Sequence, residues 1–223
     1  MNTTLLKDTI ANAKAQETES GQLSSLLDSR ISHLHHAIQL PANNSVPALL
    51  NFIVRYIEHV PEFIEAVDEI AKDAGIRTYT DPIMGIANEF FLHPPECLDK
   101  EVGLVALMNE AYLAHRLIEE INDRYMNHFG APLVPMDMTR SNLIIHHLIG
   151  EPFANQLDSI VHSAVDQLET RDPPEQQSTF QNFCQRRRDQ RDLAREIKRW
   201  PCLTDALSIN LMLDGQSAQI TLH

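Results

Sequence analysis

Residues 97–130, CLDKEVGLVALMNEAYLAHRLIEEINDRYMNHFG, decide the fold. The first thirty-three hold a single glycine and no proline, and Gly130 stands where a left-handed C-terminal glycine closes a helix. At about 100° per residue, Leu104, Leu107, Met108, Ala111, His115, Ile118, Asn122, Tyr125 and Phe129 fall on one face. That spacing predicts a long amphipathic helix over 97–129. His115 and Asn122 occupy positions where such a stripe ordinarily carries Leu or Ile.

The flanking sequence has the same character. Residues 3–19 and 22–39 read as helices separated by Gly21, the second carrying Leu27, Ile31, Leu34 and Ile38 on one stripe. A long helix is expected over 46–74, with Ser45 as its cap, Gly75 as its end and a kink or broken turn at Pro61. Glu58, Glu62, Glu65 and Glu69 face away from its apolar stripe, as a solvated face does. Asp81-Pro82 reads as the start of a short helix over 82–93, ended by Pro94-Pro95. After the loop 130–136, Asp137 caps two abutting helices, 138–149 and 151–170, interrupted at Gly150-Glu151-Pro152. A last helix spans 175–199.

The period then changes. Residues 208–213, SINLML, and 217–222, SAQITL, flank Asp214-Gly215, the sequence signature of a β-hairpin. The fold expected is an all-α antiparallel bundle of six or seven helices over residues 1–201. Residues 202–223 form a C-terminal hairpin appended to it, with no sheet in the body to join. Such a hairpin is marginal alone, so it must pack Ile209, Leu211 and Leu213 on the bundle or pair with a second subunit. A homodimer is the expectation.

Composition bounds the function. The chain has 223 residues, 43% of them apolar, and a formal net charge of −13. That balance opposes non-specific binding to nucleic acid or anionic lipid. The cysteines, Cys97, Cys184 and Cys202, are odd in number and scattered, which supports neither a disulfide framework nor a zinc knuckle. The N-terminus shows no signal-peptide core and no apolar run is long enough for a membrane span. A reducing cytoplasm is the compartment expected. No GxSxG, GxGxxG or Walker A motif is present. Arg186, Arg187, Arg188, Arg191, Arg195, Lys198 and Arg199 crowd the last helix, but Asp189, Asp192 and Glu196 interleave with them. A protein partner, or the acidic face of helix 46–74, suits this helix better than nucleic acid.

The remaining chemistry lies in the paired helices. Glu119 follows His115 by one turn, and Asn142 borders the stripe that carries His146 on the next helix. Glu151 lies four residues after His147. A buried polar cluster of His115, Glu119, Asn122, Asn142 and His146 is the first reading. It bonds His115 to Glu119 and His146 to Asn122 or a backbone carbonyl, and specifies one packing arrangement. It belongs to a cytoplasmic protein that acts by protein binding or self-association. The alternative is a metal-dependent bundle enzyme holding Fe, Mn or Zn through His115, Glu119, His146 and Glu151. The His115-x3-Glu119-x2-Asn122 pattern resembles the His-x3-Asp-x2-His segment of haem-oxygenase-like di-iron proteins over two helical turns. It departs from that segment at Asn122, a poor iron ligand.

Overall fold

The computed structural model describes residues 2–98, 101–130, 132–134, 136–169, 178–188, 203–206 and 209–211. The chain is mostly helical. Helices α1 (Thr4–Ser20), α2 (Gln22–Ile31), α3 (Ser45–Ala74), α4 (Arg77–Leu92), α5 (Gly103–Phe129), α6 (Thr139–Ile149) and α7 (Glu151–Glu169) build the body. Helix α8 (Ser178–Arg188) and the short α9 (Leu203–Ala206) follow. The basic residues beyond Arg188, Cys202 and the hairpin beyond Leu211 lie outside the described residues.

Helix α5 is the axis of the fold. It touches α1, α3, α4, α6 and α7, and every residue from Leu104 to His115 is buried. Its spacing predicts one amphipathic stripe, and the first half of the helix is instead enclosed on all sides. A helix so placed must be apolar around its whole circumference. Val105, Ala106, Leu113, Ala114 and Leu117 supply the faces that the first stripe omits. Burying each large apolar side chain contributes on the order of 1.5–3 kcal/mol. Asn109 and Glu110 are the polar residues caught inside this enclosure beside His115.

Local signals set the ends of the other helices. Glu17 reaches across Gly21 and accepts the backbone N–H groups of Leu23 and Ser24 at 2.8 and 2.9 Å, capping α2. At Gly75, φ is +70°, a conformation that suits glycine. The Ile76 N–H returns to Ala71 O at 2.9 Å and the Gly75 N–H to Lys72 O, forming the hydrogen-bond pair of a Schellman motif. The fully buried Ile76 completes the stop. Helix α3 runs unbroken through Pro61, where the sequence predicts a kink or broken turn. Helix α4 begins at Arg77, not at Asp81-Pro82. The buried Thr80 and the packing of α4 on α3 and α5 carry the helix through Pro82, and offset the lost i→i−4 hydrogen bond and the crowding of the proline ring against the Thr78 carbonyl. The first turns expected of the helix at 97 are a 3-10 turn, Glu96–Leu98, and α5 itself starts at Gly103.

Gly150 separates α6 from α7 with φ +102° and ψ 132°, a region open essentially to glycine alone. The reversal there is larger than two abutting helices require. Along α6, Glu119 meets Asn142 and Tyr112 meets His146, so α6 runs against α5. Along α7, Arg116 meets Asp158, Glu120 meets His162 and Arg124 meets Asp166, so α7 runs parallel to α5. The antiparallel pairing expected for the whole of 138–170 holds for α6 only.

The acidic face of α3 is not simply solvated. Glu58 receives Lys14 at 2.6 Å and Arg55 at 2.8 Å, and Glu65 receives Lys7 at 2.5 Å together with the Thr3 hydroxyl. The cations come from α1 and α3 itself. The stripe expected to extend helix 22–39 through Ile38 stops at Ile31. Ile38–Gln39 instead forms strand β1, paired antiparallel with β2 (Asn210–Leu211), with Ile38 opposite Leu211. The helical body therefore does offer a strand to the C-terminal segment. Ile209 is fully buried and Leu211 packs against the core.

Candidate functional site: a polar chain across four helices

The five residues expected to cluster do not form one site. His115 is fully buried, and its ring stacks among Tyr56, His59 and Phe63 of α3 at centroid distances of 4.3, 5.5 and 5.4 Å. Its Nε2 lies 2.9 Å from the Tyr56 backbone carbonyl. A carbonyl only accepts, so Nε2 carries the proton and Nδ1 is a bare acceptor. That Nδ1 is buried without a partner among the described residues. Glu119 is not bonded to His115. Burial holds the His115 pKa down at about 4, and the bond to Tyr56 only partly offsets this. His59 is pushed to about 2 by burial and by the neighbouring His115. Both rings are neutral at neutral pH.

Glu119 looks the other way, into a continuous polar chain. The Tyr56 hydroxyl donates to Asn142 Oδ1 at 2.7 Å, and Asn142 Nδ2 donates to Glu119 Oε2 at 2.6 Å. Arg116 donates to the same carboxylate oxygen through Nη1 and to Asp158 Oδ1 through Nε at 2.9 Å. The Tyr112 hydroxyl donates to Asp158 at 3.0 Å. His146 ends the chain, 3.3 Å from Asn155 Oδ1 and 3.8 Å from Asp158 Oδ2, with its ring edge-on to Tyr112. The chain ties α3 to α6, α6 to α5 and α5 to α7. Burial is the largest influence on both tyrosines and raises their hydroxyl pKa. On Arg116 burial lowers the pKa, but the two carboxylates together outweigh it and hold the guanidinium firmly charged.

Asn122 belongs to neither group. Its Nδ2 donates to Val134 O at 2.7 Å and its Oδ1 accepts the Val134 N–H at 2.9 Å. This amide imitates a strand partner and pins the loop between α5 and α6. It does not reach His146, because that loop lies closer. Glu151 is exposed at the start of α7. His115, Glu119, His146 and Glu151 are thus spread from the α3 side of α5 to the surface. Among the described residues, no group of three or more His, Cys, Asp or Glu side chains is placed to hold a metal ion.

Sequence reasoning missed Tyr56, Tyr112, Arg116 and Asp158. Arg116 and Asp158 carried a signal: each is a charge at the border of an apolar stripe, and paired borders on neighbouring helices meet. Glu110 was also missed. It is buried in α5 with no hydrogen bond or ion pair among the described residues, and burial raises its carboxyl pKa to about 7. No helix among the described residues is long and apolar enough to cross a membrane. No protein-family model matches the chain, and neither a curated protein nor a solved structure matches it.

Proposed function

We propose that this is a cytoplasmic helical protein that acts by binding a protein partner or a second copy of itself through its C-terminal segment. The polar chain from Tyr56 to His146 fixes the packing of α3, α5, α6 and α7. One observation carries the reading: β2 is a two-residue strand laid on a two-residue strand, on an otherwise helical body. The outer edge of a strand presents backbone N–H and C=O groups that can pair with another strand. The sequence past Leu211 continues the alternation, with Leu213, Ile220 and Leu222 around Asp214-Gly215.

The test is light scattering on the full chain and on a chain ending at Leu211. That end point keeps Leu203, Thr204 and Ile209, which are buried in the body. A dimer that becomes monomeric on truncation supports the reading. A full chain that is monomeric at micromolar concentration and retains no partner removes it.

A second reading has one observation in its favour, the bare and buried Nδ1 of His115. It is the metal-dependent enzyme with His115, Glu119, His146 and Glu151 as ligands to Fe, Mn or Zn. It requires the side chains of α5, α6 and α7 to regroup. Protein prepared without chelator would then carry a transition metal that His115→Ala loses. No metal in the preparation, and no stabilisation by added Zn²⁺ or Fe²⁺, would exclude it.

A further inference from the structure

Helix α1 is joined to α2 by one residue, Gly21, whose φ of +59° is left-handed. Ser20 and Gln22 on either side are already helical. A side chain at Gly21 would meet nothing within 4 Å, so no neighbour packs against the turn there. Side chains hold it instead. Glu17 accepts the Leu23 and Ser24 N–H groups and the Ser24 hydroxyl, and the Gln22 N–H reaches Ser20 Oγ at 3.4 Å. Two backbone bonds across the turn already have α-helical spacing, Gly21 N–H to Glu17 O and Ser25 N–H to Gly21 O. With Gly21 at a right-handed φ, the N–H groups of Gln22, Leu23 and Ser24 would bond the carbonyls of Thr18, Glu19 and Ser20, four residues back. The turned and straight forms therefore satisfy the same backbone donors. The seat of α1 is as separable as its joint. It lies on α3 and α5 and buries Leu6, Ile10 and Ala13. Its register is set by two ion pairs spaced seven residues apart on each helix, Lys7 with Glu65 and Lys14 with Glu58.

We propose that α1 is an exchangeable arm, which leaves its own seat when Gly21 straightens and occupies the same seat on a second copy of the chain. The fused helix would run over residues 4–31, about 42 Å at 1.5 Å per residue. Helix α2 keeps its own packing on α3, with Leu23 and Leu27 buried, so a straight extension carries α1 off its own body. The second copy offers the same apolar floor between α3 and α5 and the same two carboxylates. It returns its own α1 to the vacated seat, and the exchange closes as a two-fold dimer. The C-terminal segment has no part in it.

The test uses two full-length charge-reversed chains. One carries Lys7→Glu and Lys14→Glu, the other Glu58→Lys and Glu65→Lys. Arg55, which also bonds Glu58, keeps Glu62 at 3.5 Å. Neither chain can match charges with its own α1, but each matches the other's in both directions. Amide hydrogen exchange of residues 4–20 is measured on each chain, on their equimolar mixture and on a chain carrying all four substitutions. The α1 peptides of the two chains differ in mass, so both arms are read in the mixture. Two lost ion pairs with like charges in their place predict about tenfold lower protection of α1 in each separate chain. The mixture should recover the protection of the four-substitution chain in both arms, and lose it again on dilution. A mixture as exposed as its separate chains, beside a protected four-substitution chain, would overturn the exchange. So would separate chains as protected as the wild type, or a four-substitution chain no better protected than either parent, because charge would then not choose the seat. The readout is protection of α1 and not mass, so association through the C-terminal segment neither produces nor hides the recovery.

Discussion

His115 donates its Nε2 proton to the backbone carbonyl of Tyr56 at 2.9 Å, and the other ring nitrogen faces the core with nothing to bond. The carbonyl belongs to a helix, so this bond adds a long-range tie between α5 and α3 without consuming a side-chain partner. It also binds the ring to one protonation state. The folded protein takes up a proton at His115 only near pH 4, whereas the unfolded chain does so near 6.5.

Stability should therefore fall as pH drops from about 6.5 to 4, because the unfolded state binds more protons there. His115 alone contributes on the order of 3 kcal/mol to that slope. His59 adds in the same direction over a wider window, since its folded value is about 2. His115→Leu should reduce the slope by one proton and leave stability at pH 7 unchanged or slightly higher, since an apolar side chain suits this pocket and leaves no bare nitrogen. Urea unfolding at pH 4.5 and 7 measures both. An unchanged slope in the variant would show that His115 titrates normally.

Glu110 should act in the opposite sense. Its folded pKa of about 7 lies above the unfolded value, so the folded state holds the proton longer. Its contribution is neutral below about pH 4.5, where both states are protonated, and increasingly unfavourable as pH rises to 7. Above that it reaches a constant cost of about 3 kcal/mol. Glu110→Gln should raise stability at pH 8 by roughly this amount and leave it nearly unchanged at pH 4. Thermal melts at the two pH values decide it. A variant equally destabilised at both would mean that the carboxyl is bonded in a way its burial does not reveal.

The fold was legible where apolar spacing and punctuation agree. Gly75, Gly130 and Gly150 end helices where the sequence places them, because positive φ leaves little choice of residue. Pro82 misled, since tertiary contacts of α4 override a proline in its second turn. Ile38 misled because a residue continuing a helical stripe is equally suited to a buried strand position. The enclosure of α5 was invisible for a related reason: one stripe already satisfies the pattern, and Asn109 and Glu110 lie off that stripe. The site was legible only in composition. His115 and Asn142 are buried and Glu119 lies at the border of the core, while the Arg116–Asp158 pair depends on the reversal at Gly150. That reversal sends α7 back parallel to α5 and brings Asp158 to Arg116.

Arg116 is the member of the polar chain whose loss should cost most. It serves Glu119 and Asp158 at once, with its side chain 19% exposed and theirs 15% and 22%. Arg116→Met keeps the stem but leaves both carboxylates without their guanidinium. Removing one member of a buried ionic group is more damaging than replacing the whole group. Partial exposure moderates this, so a loss of about 2–3 kcal/mol is expected at pH 7. Adding Glu119→Gln and Asp158→Asn should restore part of it. Denaturant midpoints of the single and triple variants test the coupling. A triple variant no better than Arg116→Met would mean that packing, not charge, makes Arg116 necessary.

Asn122 gives a local prediction that separates structure from activity. Its two bonds to Val134 replace the backbone partners that a strand would supply to the α5–α6 loop. Val134 is buried, so its N–H and C=O have no ready access to water. Asn122→Ala should orphan both groups and cost about 2 kcal/mol. Asn122→Asp should retain the acceptor for the Val134 N–H but set a carboxylate against the Val134 carbonyl, and so recover little at neutral pH. Once the introduced carboxyl is protonated in acid it can donate again, and the gap to wild type should narrow. Hydrogen exchange at Val134, read beside global stability, distinguishes the outcomes. Fast exchange at Val134 with unchanged exchange in α3 places the clamp in the loop alone. Equal acceleration throughout would make Asn122 a member of the core packing instead.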